Sequence, residues 1–173
     1  MNPPYLLAQQ PSALAPVSPR ARPYQPRLKP ADPAVRAMND FQLEPPRTIA
    51  EDAGLEEVID DMFRLGVRAF LVVQDRAVVG LITAEDAADA RRAQQSHDAA
   101  GRRLRAADVM TPSIDVPAID WQTLQDSQIS DLVEIFEGTG VRYLVVLQTE
   151  TATWSTVRGL IHRQRLERQL RRS

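Results

Sequence analysis

Apolar residues recur at helical spacing in the stretch that follows a run of prolines. Intervals of three and four residues place these side chains on one helix face: Leu55, Val58, Ile59, Met62 and Phe63. Asp52 precedes this helix as a candidate cap, and Gly66 follows it where a left-handed residue often ends a helix. The pattern predicts one amphipathic helix.

Two short apolar runs come next, at residues 69–73 and 78–82, with Gln-Asp-Arg-Ala between them. Runs of this length with a polar turn between them predict a β-hairpin. Thr83 then begins a second predicted helix, which reaches about Arg92. The runs AFLVV and YLVVL are strand-sized and too short to cross a bilayer, so no membrane partner is expected.

The same order of elements recurs further along the chain. Ile129, Leu132, Val133 and Phe136 repeat the helix stripe, and Asp126 again precedes it. Gly140-Val141-Arg142 repeats Gly66-Val67-Arg68 at an offset of 74 residues. Apolar runs at 143–147 and 156–161 repeat the hairpin, and a last helix runs from His162. The chain is therefore predicted to be a tandem repeat of an α-β-β-α unit.

One such unit has too little core to cover its small sheet. Two units are expected to pack sheet to sheet about a pseudo-twofold axis, which predicts an α/β (α+β) fold. The axis leaves two clefts between the units, where small ligands commonly bind. The predicted organisation is an extension at 1–33, a first repeat at 34–98 and a second repeat at 99–173, which ends in a basic helix.

The N-terminal stretch is rich in proline: eleven of the 13 prolines fall within residues 1–46. Proline fixes φ and lacks a backbone donor, so long helices and central strands are excluded there. Two interpretations remain open. The stretch is either a flexible, polyproline-like tail, or an arm that packs on its own or a neighbouring domain through its apolar residues, Tyr5, Leu6, Leu7, Tyr24 and Leu28.

Composition excludes several classes of function. The net charge of −2 gives no electrostatic reason to expect nucleic acid as a partner. There are no cysteines, which excludes disulfides and thiolate catalysis, and the two histidines are 65 positions apart, at His97 and His162. His97 lies in a polar stretch and is expected at the surface. The first residues do not resemble a signal peptide, so a cytoplasmic location is expected.

The order of these segments resembles a paired cystathionine-β-synthase (CBS) domain protein, also called a Bateman module. The first copy has helix, Gly-Val-Arg, hairpin and then GLITAED at residues 80–86. AADVMTPS (106–113) looks like the family's Val-Met-Thr segment, which opens the second repeat, and AVRAMNDF (34–41) looks like a weaker version that opens the first. The resemblance covers roughly residues 34–170.

The resemblance implies a stand-alone regulatory, energy-sensing module and not an enzyme. It would bind AMP, ADP or ATP between the repeats, with S-adenosylmethionine as an alternative ligand, and would signal occupancy to a separate, unidentified partner protein. It would have no obligatory cofactor or metal, and two copies would pair into a homodimer through the CBS modules.

Site residues follow from the same resemblance. Asp86 would accept hydrogen bonds from both ribose hydroxyls, and Thr83 with the helix N-terminus would face the phosphates. The remaining predicted contacts are Gly80, which would let the backbone approach the ligand, Arg68 and Arg142 toward the phosphates, and Thr48 and Ile49 near the adenine. Taken without the resemblance, Thr-x-x-Asp is equally a plain helix start, and the arginines are equally solvated side chains.

The second copy departs from this motif. His162 stands in place of the threonine and Arg165 in place of the aspartate. Arginine has no acceptor and cannot accept hydrogen bonds from a diol's hydroxyls, which predicts one adenosine site per chain. A second hypothesis is that Arg165 or His162 reaches the phosphates of the ligand in the first cleft.

Three other interpretations compete with a sensor. The chain could be a ligand-free structural or interaction protein, which the degenerate second copy favours. It could hold paired βαββαβ amino-acid-binding domains, although its helix-before-hairpin order argues against them. An enzyme is disfavoured, because the sequence offers no nucleophile–base pair, metal cluster or phosphate-binding loop.

Overall fold

The computed structural model describes residues 27–96, 103–151 and 154–171. Tyr5, Leu6, Leu7, Tyr24 and His97 lie outside these ranges, so the predictions made for them stay open. The chain separates into two compact units. We call Pro45–Val116 the central unit, and residues up to Glu44 together with those from Pro117 onward the flanking unit. The repeat boundaries set on the sequence remain a prediction.

A short 3-10 helix, Ala34–Ala37, opens the described elements. The strands, in chain order, are β1 Asn39–Asp40, β2 Thr48–Ala50, β3 Ala69–Gln74, β4 Ala77–Thr83, β5 Thr111–Pro112, β6 Ala118–Asp120, β7 Tyr143–Thr151 and β8 Trp154–His162. The helices are α1 Leu55–Leu65, α2 Ala84–Ser96, α3 Ala106–Val109, α4 Trp121–Gln125, α5 Ile129–Thr139 and α6 Arg163–Leu170. No helix among the described residues is both long and apolar enough to span a membrane.

The central unit contains a four-stranded sheet in the order β2-β3-β4-β5. Strand β2 runs parallel to β3, and the predicted hairpin β3–β4 turns at Asp75 and Arg76, both with positive φ. Helix α1 packs its apolar stripe on this sheet and ends at Gly66 in the left-handed conformation, as predicted. The buried core is made by Ile49, Ala53, Val58, Met62, Phe70, Val72, Ile82 and Ala106.

The flanking unit repeats this plan with a sheet in the order β1-β8-β7-β6. Strand β6 is parallel to β7, as β2 is to β3. The buried core of the flanking unit includes Leu124, Ile129, Leu132, Phe136, Leu144, Val146, Ile161 and Leu166. Leu28 is buried in the same core, and its N–H donates to the Gln169 carbonyl at 3.4 Å. The last predicted anchor of the proline-rich stretch therefore packs on this chain's own unit.

Each sheet is completed by a strand that lies far away in the sequence. Asn39 of β1 pairs with Leu160 in β8, although AVRAMNDF precedes the first hairpin in the chain. Thr111 of β5 pairs with Leu81 in β4, so the Val-Met-Thr segment belongs to the sheet of the first hairpin. The two methionine-containing segments are thus edge strands in equivalent positions of the two sheets.

Three sequence predictions about helix ends and faces were wrong. Gly54, not Asp52, precedes α1, and a glycine has no side chain with which to cap the helix. Asp126 ends α4, while Gln128 precedes α5 and Asp131 accepts its N–H. Phe63 is 91% exposed, so the buried stripe of α1 is narrower than its apolar spacing suggests.

An ion pair fixes β1 to β8 in the flanking unit. Arg158 donates to both oxygens of Asp40, at 3.1 and 2.9 Å, and its guanidinium lies 4.4 Å from the Trp121 ring centroid. Burial by itself raises the pKa of Asp40. The hydrogen bonds from Arg158 and from the Gln42 N–H, with the charge of Arg158, outweigh that effect and hold the pKa of Asp40 below its usual value.

This geometry predicts acid-sensitive stability. A carboxylate whose pKa is lower in the folded state stabilises it above the unfolded pKa, about 4, and loses that contribution as pH falls through the folded pKa. Asp40→Asn should lower the free energy of unfolding at pH 7 by about 1–3 kcal/mol. In this variant the free energy of unfolding should also fall less steeply than in the wild type as the pH drops below about 4. Urea denaturation from pH 3 to 7 measures both effects.

Asp89→Asn is the matched control, because Asp89 pairs with Arg92 at the surface of α2. Exposed pairs contribute about 0–1 kcal/mol, so this variant should behave like the wild type. Equal losses in the two variants would contradict the role assigned to Asp40.

Candidate functional site

The junction between β4 and α2 carries the Thr-x-x-Asp motif of the central unit. The Asp86 Oδ2 atom accepts from the Thr83 hydroxyl at 2.6 Å and from the Thr83 N–H at 3.2 Å. The Asp86 N–H donates back to Thr83 Oγ1 at 3.1 Å. These are the reciprocal bonds of a capping box, so the motif has a structural role that holds the start of α2.

Only one oxygen of Asp86 takes part in that cap. Both bonds from Thr83 reach Oδ2, and no described residue donates a hydrogen bond to Oδ1. An ionised carboxylate offers about four lone-pair sites, and this side chain is only half-buried. Asp86 can therefore hold the helix start and still accept bonds from outside, whereas the Thr83 hydroxyl already donates one bond and accepts another.

Arg68 lies beside the same helix start. Its guanidinium donates to Glu85 Oε1 at 2.8 Å, and its carbonyl accepts from the Ala84 N–H at 2.9 Å. The side chains of Arg68 and Glu85 are 51% and 33% exposed, so an anion could reach Arg68 only in competition with Glu85. Sequence reasoning missed this pairing, although Glu85 lies inside the motif and in the first turn of α2.

Gly80 is explained by packing within the central unit. A Cβ built on it would lie 2.5 Å from the Met110 sulfur and 2.7 Å from the Thr111 carbonyl oxygen. The glycine thus lets β5 approach β4 closely, a reason that sequence reasoning missed. A role for Gly80 in ligand approach stays a prediction.

Thr48 and Ile49 belong to the same sheet, on β2. Ile49 is paired with Val72, and Val72 is paired with Gly80 on its other side. Two strand spacings, about 10 Å, thus separate the Ile49 backbone from Gly80. Ile49 is buried in the core, while Thr48 is half-buried. The central unit therefore holds six of the eight predicted site residues: Thr48, Ile49, Arg68, Gly80, Thr83 and Asp86.

The other two, Arg142 and Arg165, belong to the flanking unit, where the equivalent junction has different chemistry. The Arg142 carbonyl accepts from the Arg163 N–H at 2.9 Å, just as Arg68 accepts from Ala84. His162 is stacked on Tyr143, with ring centroids 4.5 Å apart and planes 2° apart. In the central unit the paired positions hold Ala69 and Thr83, so a ring stack has replaced a helix-capping hydroxyl.

Arg165 stands where Asp86 stands in the central unit. Burial lowers the pKa of Arg165, the charge of Glu44 raises it, and the charge of Arg168 lowers it. The side chain remains a cation, because a guanidinium does not lose its proton in proteins. The Nε atom is buried and has no hydrogen-bond partner among the described residues. A donor-only group at this position cannot accept hydrogen bonds from hydroxyl groups, as Asp86 can.

A comparison with known protein families identifies part of the chain. Residues 37–93 match the family model of the CBS domain, and this stretch contains the Thr83–Asp86 motif. This stretch of the chain is a CBS domain. No curated protein sequence matches it.

Solved structures share this fold, and each similarity extends over more residues of the chain than either compact unit contains. CBSX2, a CBS-pair protein from Arabidopsis thaliana that was crystallised with AMP, is 16% identical with a TM-score of 0.55, covering 79% of this chain and 94% of its own. A conserved protein from Pyrococcus horikoshii is 14% identical with a TM-score of 0.60 and coverages of 84% and 97%. A CBS-domain protein from Agrobacterium tumefaciens is 20% identical with a TM-score of 0.55 and coverages of 75% and 88%. At these identities the likeness shows the CBS-pair fold alone.

Among the described residues, no three His, Asp or Glu side chains gather in a way that could hold an ion. The β4–α2 junction presents a carboxylate, the start of a helix and an arginine.

Proposed function

We propose that the protein is a regulatory, non-enzymatic module whose central unit binds an adenosine-containing ligand and signals occupancy to a separate partner protein. The observation that carries this proposal is that the two carboxylate oxygens of Asp86 differ in their hydrogen bonds. Oδ2 holds the start of α2, whereas Oδ1 receives no bond from any described residue. A carboxylate fixed in this way is preorganised to accept hydrogen bonds from the two hydroxyls of a ribose diol.

Three further features support an adenine nucleotide as the ligand. The N–H groups at the start of α2 provide the positive end of a helix dipole near Asp86, which favours phosphate. Arg68 lies beside that end and could exchange its bond to Glu85 for one to phosphate. CBSX2, which shares the fold, was crystallised with AMP. AMP, ADP and ATP are the proposed ligands, and S-adenosylmethionine shares the ribose diol and is the alternative.

The proposal gives each chain one adenosine site. The flanking unit has Arg165 where the diol acceptor would stand and a Tyr143–His162 stack where the threonine would stand. Contacts from Arg142 or Arg165 to the ligand's phosphates are a separate proposal. If Arg165→Ala bound AMP and ATP with wild-type affinity, Arg165 would have no such role.

Isothermal titration with AMP, ADP, ATP and S-adenosylmethionine tests the proposal directly. We expect at least one of the four to bind with a stoichiometry of one per chain. In a thermal-shift assay the same ligand should stabilise the folded state by about 2.7 kcal/mol at one hundred times its Kd. Two equivalent sites per chain, or no binding by any of the four, would contradict the proposal.

A second candidate function is that of a ligand-free interaction protein. It is favoured by the bonds that the site already makes within the chain, since Asp86 caps its own helix and Arg68 pairs with Glu85. In that case none of the four compounds would change the melting temperature, and Asp86 would matter for stability alone.

We also propose that the chain forms a homodimer, as its resemblance to CBS modules implies.

A further inference from the structure

The arginine of the candidate nucleotide site is already paired with a carboxylate of its own unit. Arg68 Nη2 donates to Glu85 Oε1 at 2.8 Å, and these residues are 17 positions apart in the sequence. Glu85 lies in the first turn of α2, next to Asp86. The other oxygen of Glu85, Oε2, is buried, while the Arg68 side chain is half exposed. The glutamate is therefore held against the protein, and the guanidinium is the more accessible part of the pair.

The fold does not require an acidic residue at position 85. The registers of β3 with β4 and of β7 with β8 make Arg68 equivalent to Arg142, and Glu85 equivalent to Gln164. Gln164 is exposed in the first turn of α6, and that turn holds no acidic residue. The flanking unit therefore forms the same junction with an arginine and a neutral amide. An acid at this position accompanies the arginine only in the unit that also has Asp86.

A carboxylate on Arg68 competes with any anion that arrives there. A guanidinium donates to carboxylate and phosphate oxygens in the same planar geometry. A phosphate monoester carries about 1.5–2 negative charges at pH 7, whereas an ionised glutamate carries a single one, so a phosphate is the stronger partner. A monoanion such as chloride gains little by replacing Glu85. The pair therefore admits phosphate to Arg68 in preference to weaker anions.

We propose that Glu85 is a specificity-determining residue that holds the phosphate position on Arg68 until the ligand's own phosphate displaces it. This inference rests on the proposed function and names the part of the ligand that the arginine recognises. Asp86 accepts hydrogen bonds from the ribose of an adenosine ligand with or without phosphate. The phosphate of AMP gains only the difference between its own bond to Arg68 and the bond that Glu85 gives up. Only a phosphate-bearing ligand therefore releases Glu85 from Arg68.

Titration calorimetry of the whole chain with AMP and with adenosine tests this inference. The Kd of adenosine divided by the Kd of AMP measures what the phosphate contributes, and any general damage to the site cancels in this ratio. In the wild type the ratio should be about five or below, because the phosphate must displace Glu85. Glu85→Gln, which introduces the residue found in the flanking unit, should lower the Kd of AMP about fivefold and leave the Kd of adenosine unchanged.

A second variant distinguishes displacement from simple repulsion between Glu85 and the phosphate. Arg68→Met keeps an apolar stem like that of the arginine and should bring the ratio close to about 1, because the phosphate loses its cation. In this background Glu85→Gln should change the Kd of AMP by about twofold or less, since no guanidinium is left to release. A full fivefold gain in the Arg68→Met background would overturn the displacement.

Glu56→Gln is the matched control for Glu85→Gln. Glu56 also lies in the first turn of a helix of the central unit, and its carboxylate is 3.8 Å from the Arg91 guanidinium. The change should leave both Kd values as in the wild type. If Glu56→Gln tightened AMP binding as much as Glu85→Gln did, the effect would come from net charge and the role of Glu85 would be lost.

The same titrations separate this inference from the proposed function. If the wild type binds AMP and adenosine but Glu85→Gln leaves the ratio unchanged, only the role of Glu85 is removed. If neither the wild type nor Glu85→Gln binds either compound, both proposals fall. If AMP binds to Glu85→Gln alone, both are supported, because the glutamate then blocks the phosphate position. Should Glu85→Gln fail to fold, Glu85→Ala replaces it, since alanine has the highest helix propensity, with the same expected shift.

Discussion

Gly80→Ala and Gly159→Ala are each expected to lower the free energy of unfolding by about 1–3 kcal/mol, as overpacked sites do. A Cβ at position 80 would lie 2.5 Å from the Met110 sulfur and 2.7 Å from the Thr111 carbonyl oxygen. At position 159 it would lie 2.5 Å from the Met38 sulfur and 2.6 Å from the Asn39 carbonyl oxygen. The thioether can move aside, but the carbonyl belongs to a paired strand and cannot move without weakening the sheet.

Urea denaturation measures these losses, and Gly138→Ala is the control. An added Cβ at Gly138 meets nothing within 4 Å, and the residue lies inside α5, so alanine there should stabilise the protein by about 0.5–1 kcal/mol. Combining Gly80→Ala with Met110→Ala should recover only part of the loss, since the Thr111 carbonyl remains. A neutral Gly80→Ala would show that β5 does not lie against β4 as described.

Asp86→Asn is expected to weaken nucleotide binding about 10- to 100-fold, because it converts charge-assisted hydrogen bonds to the ribose into neutral ones. This prediction rests on the proposed function. The cap should survive in part, since the asparagine oxygen can still accept from the Thr83 N–H. The accompanying loss of stability should therefore stay near 1 kcal/mol or below. Titration calorimetry with AMP and urea denaturation measure the two effects separately.

Asp131→Asn is the matched control for this change. Asp131 accepts the Gln128 N–H at 2.7 Å at the start of α5, a capping role like that of Asp86. It should lose a similar amount of stability and no affinity. If both variants lost affinity equally, the effect would come from a weakened fold. If Asp86→Asn bound AMP as tightly as the wild type, the carboxylate would have no part in recognition.

The candidate site illustrates how far local patterns extend. The sequence located the Thr83–Asp86 motif, because a threonine at a strand end and an acid three residues later are recognisable without any tertiary contact. It did not show that Glu85 takes the guanidinium of Arg68, nor that Tyr143 stacks on His162. Both contacts join residues 17 to 19 positions apart across a strand pair, and only the registers of β3 with β4 and of β7 with β8 bring them together.

The sequence by itself determined the repeat, the hairpins and the helix that ends at Gly66, because apolar periodicity and turn residues act over a few positions. Only the tertiary structure decided which sheet each methionine-containing segment completes. Asn39 pairs with Leu160, about 120 residues further along the chain, and no local pattern encodes such a partner. The tertiary structure likewise turned Phe63 out of the core, since a helix's apolar stripe is buried only as far as a sheet lies against it.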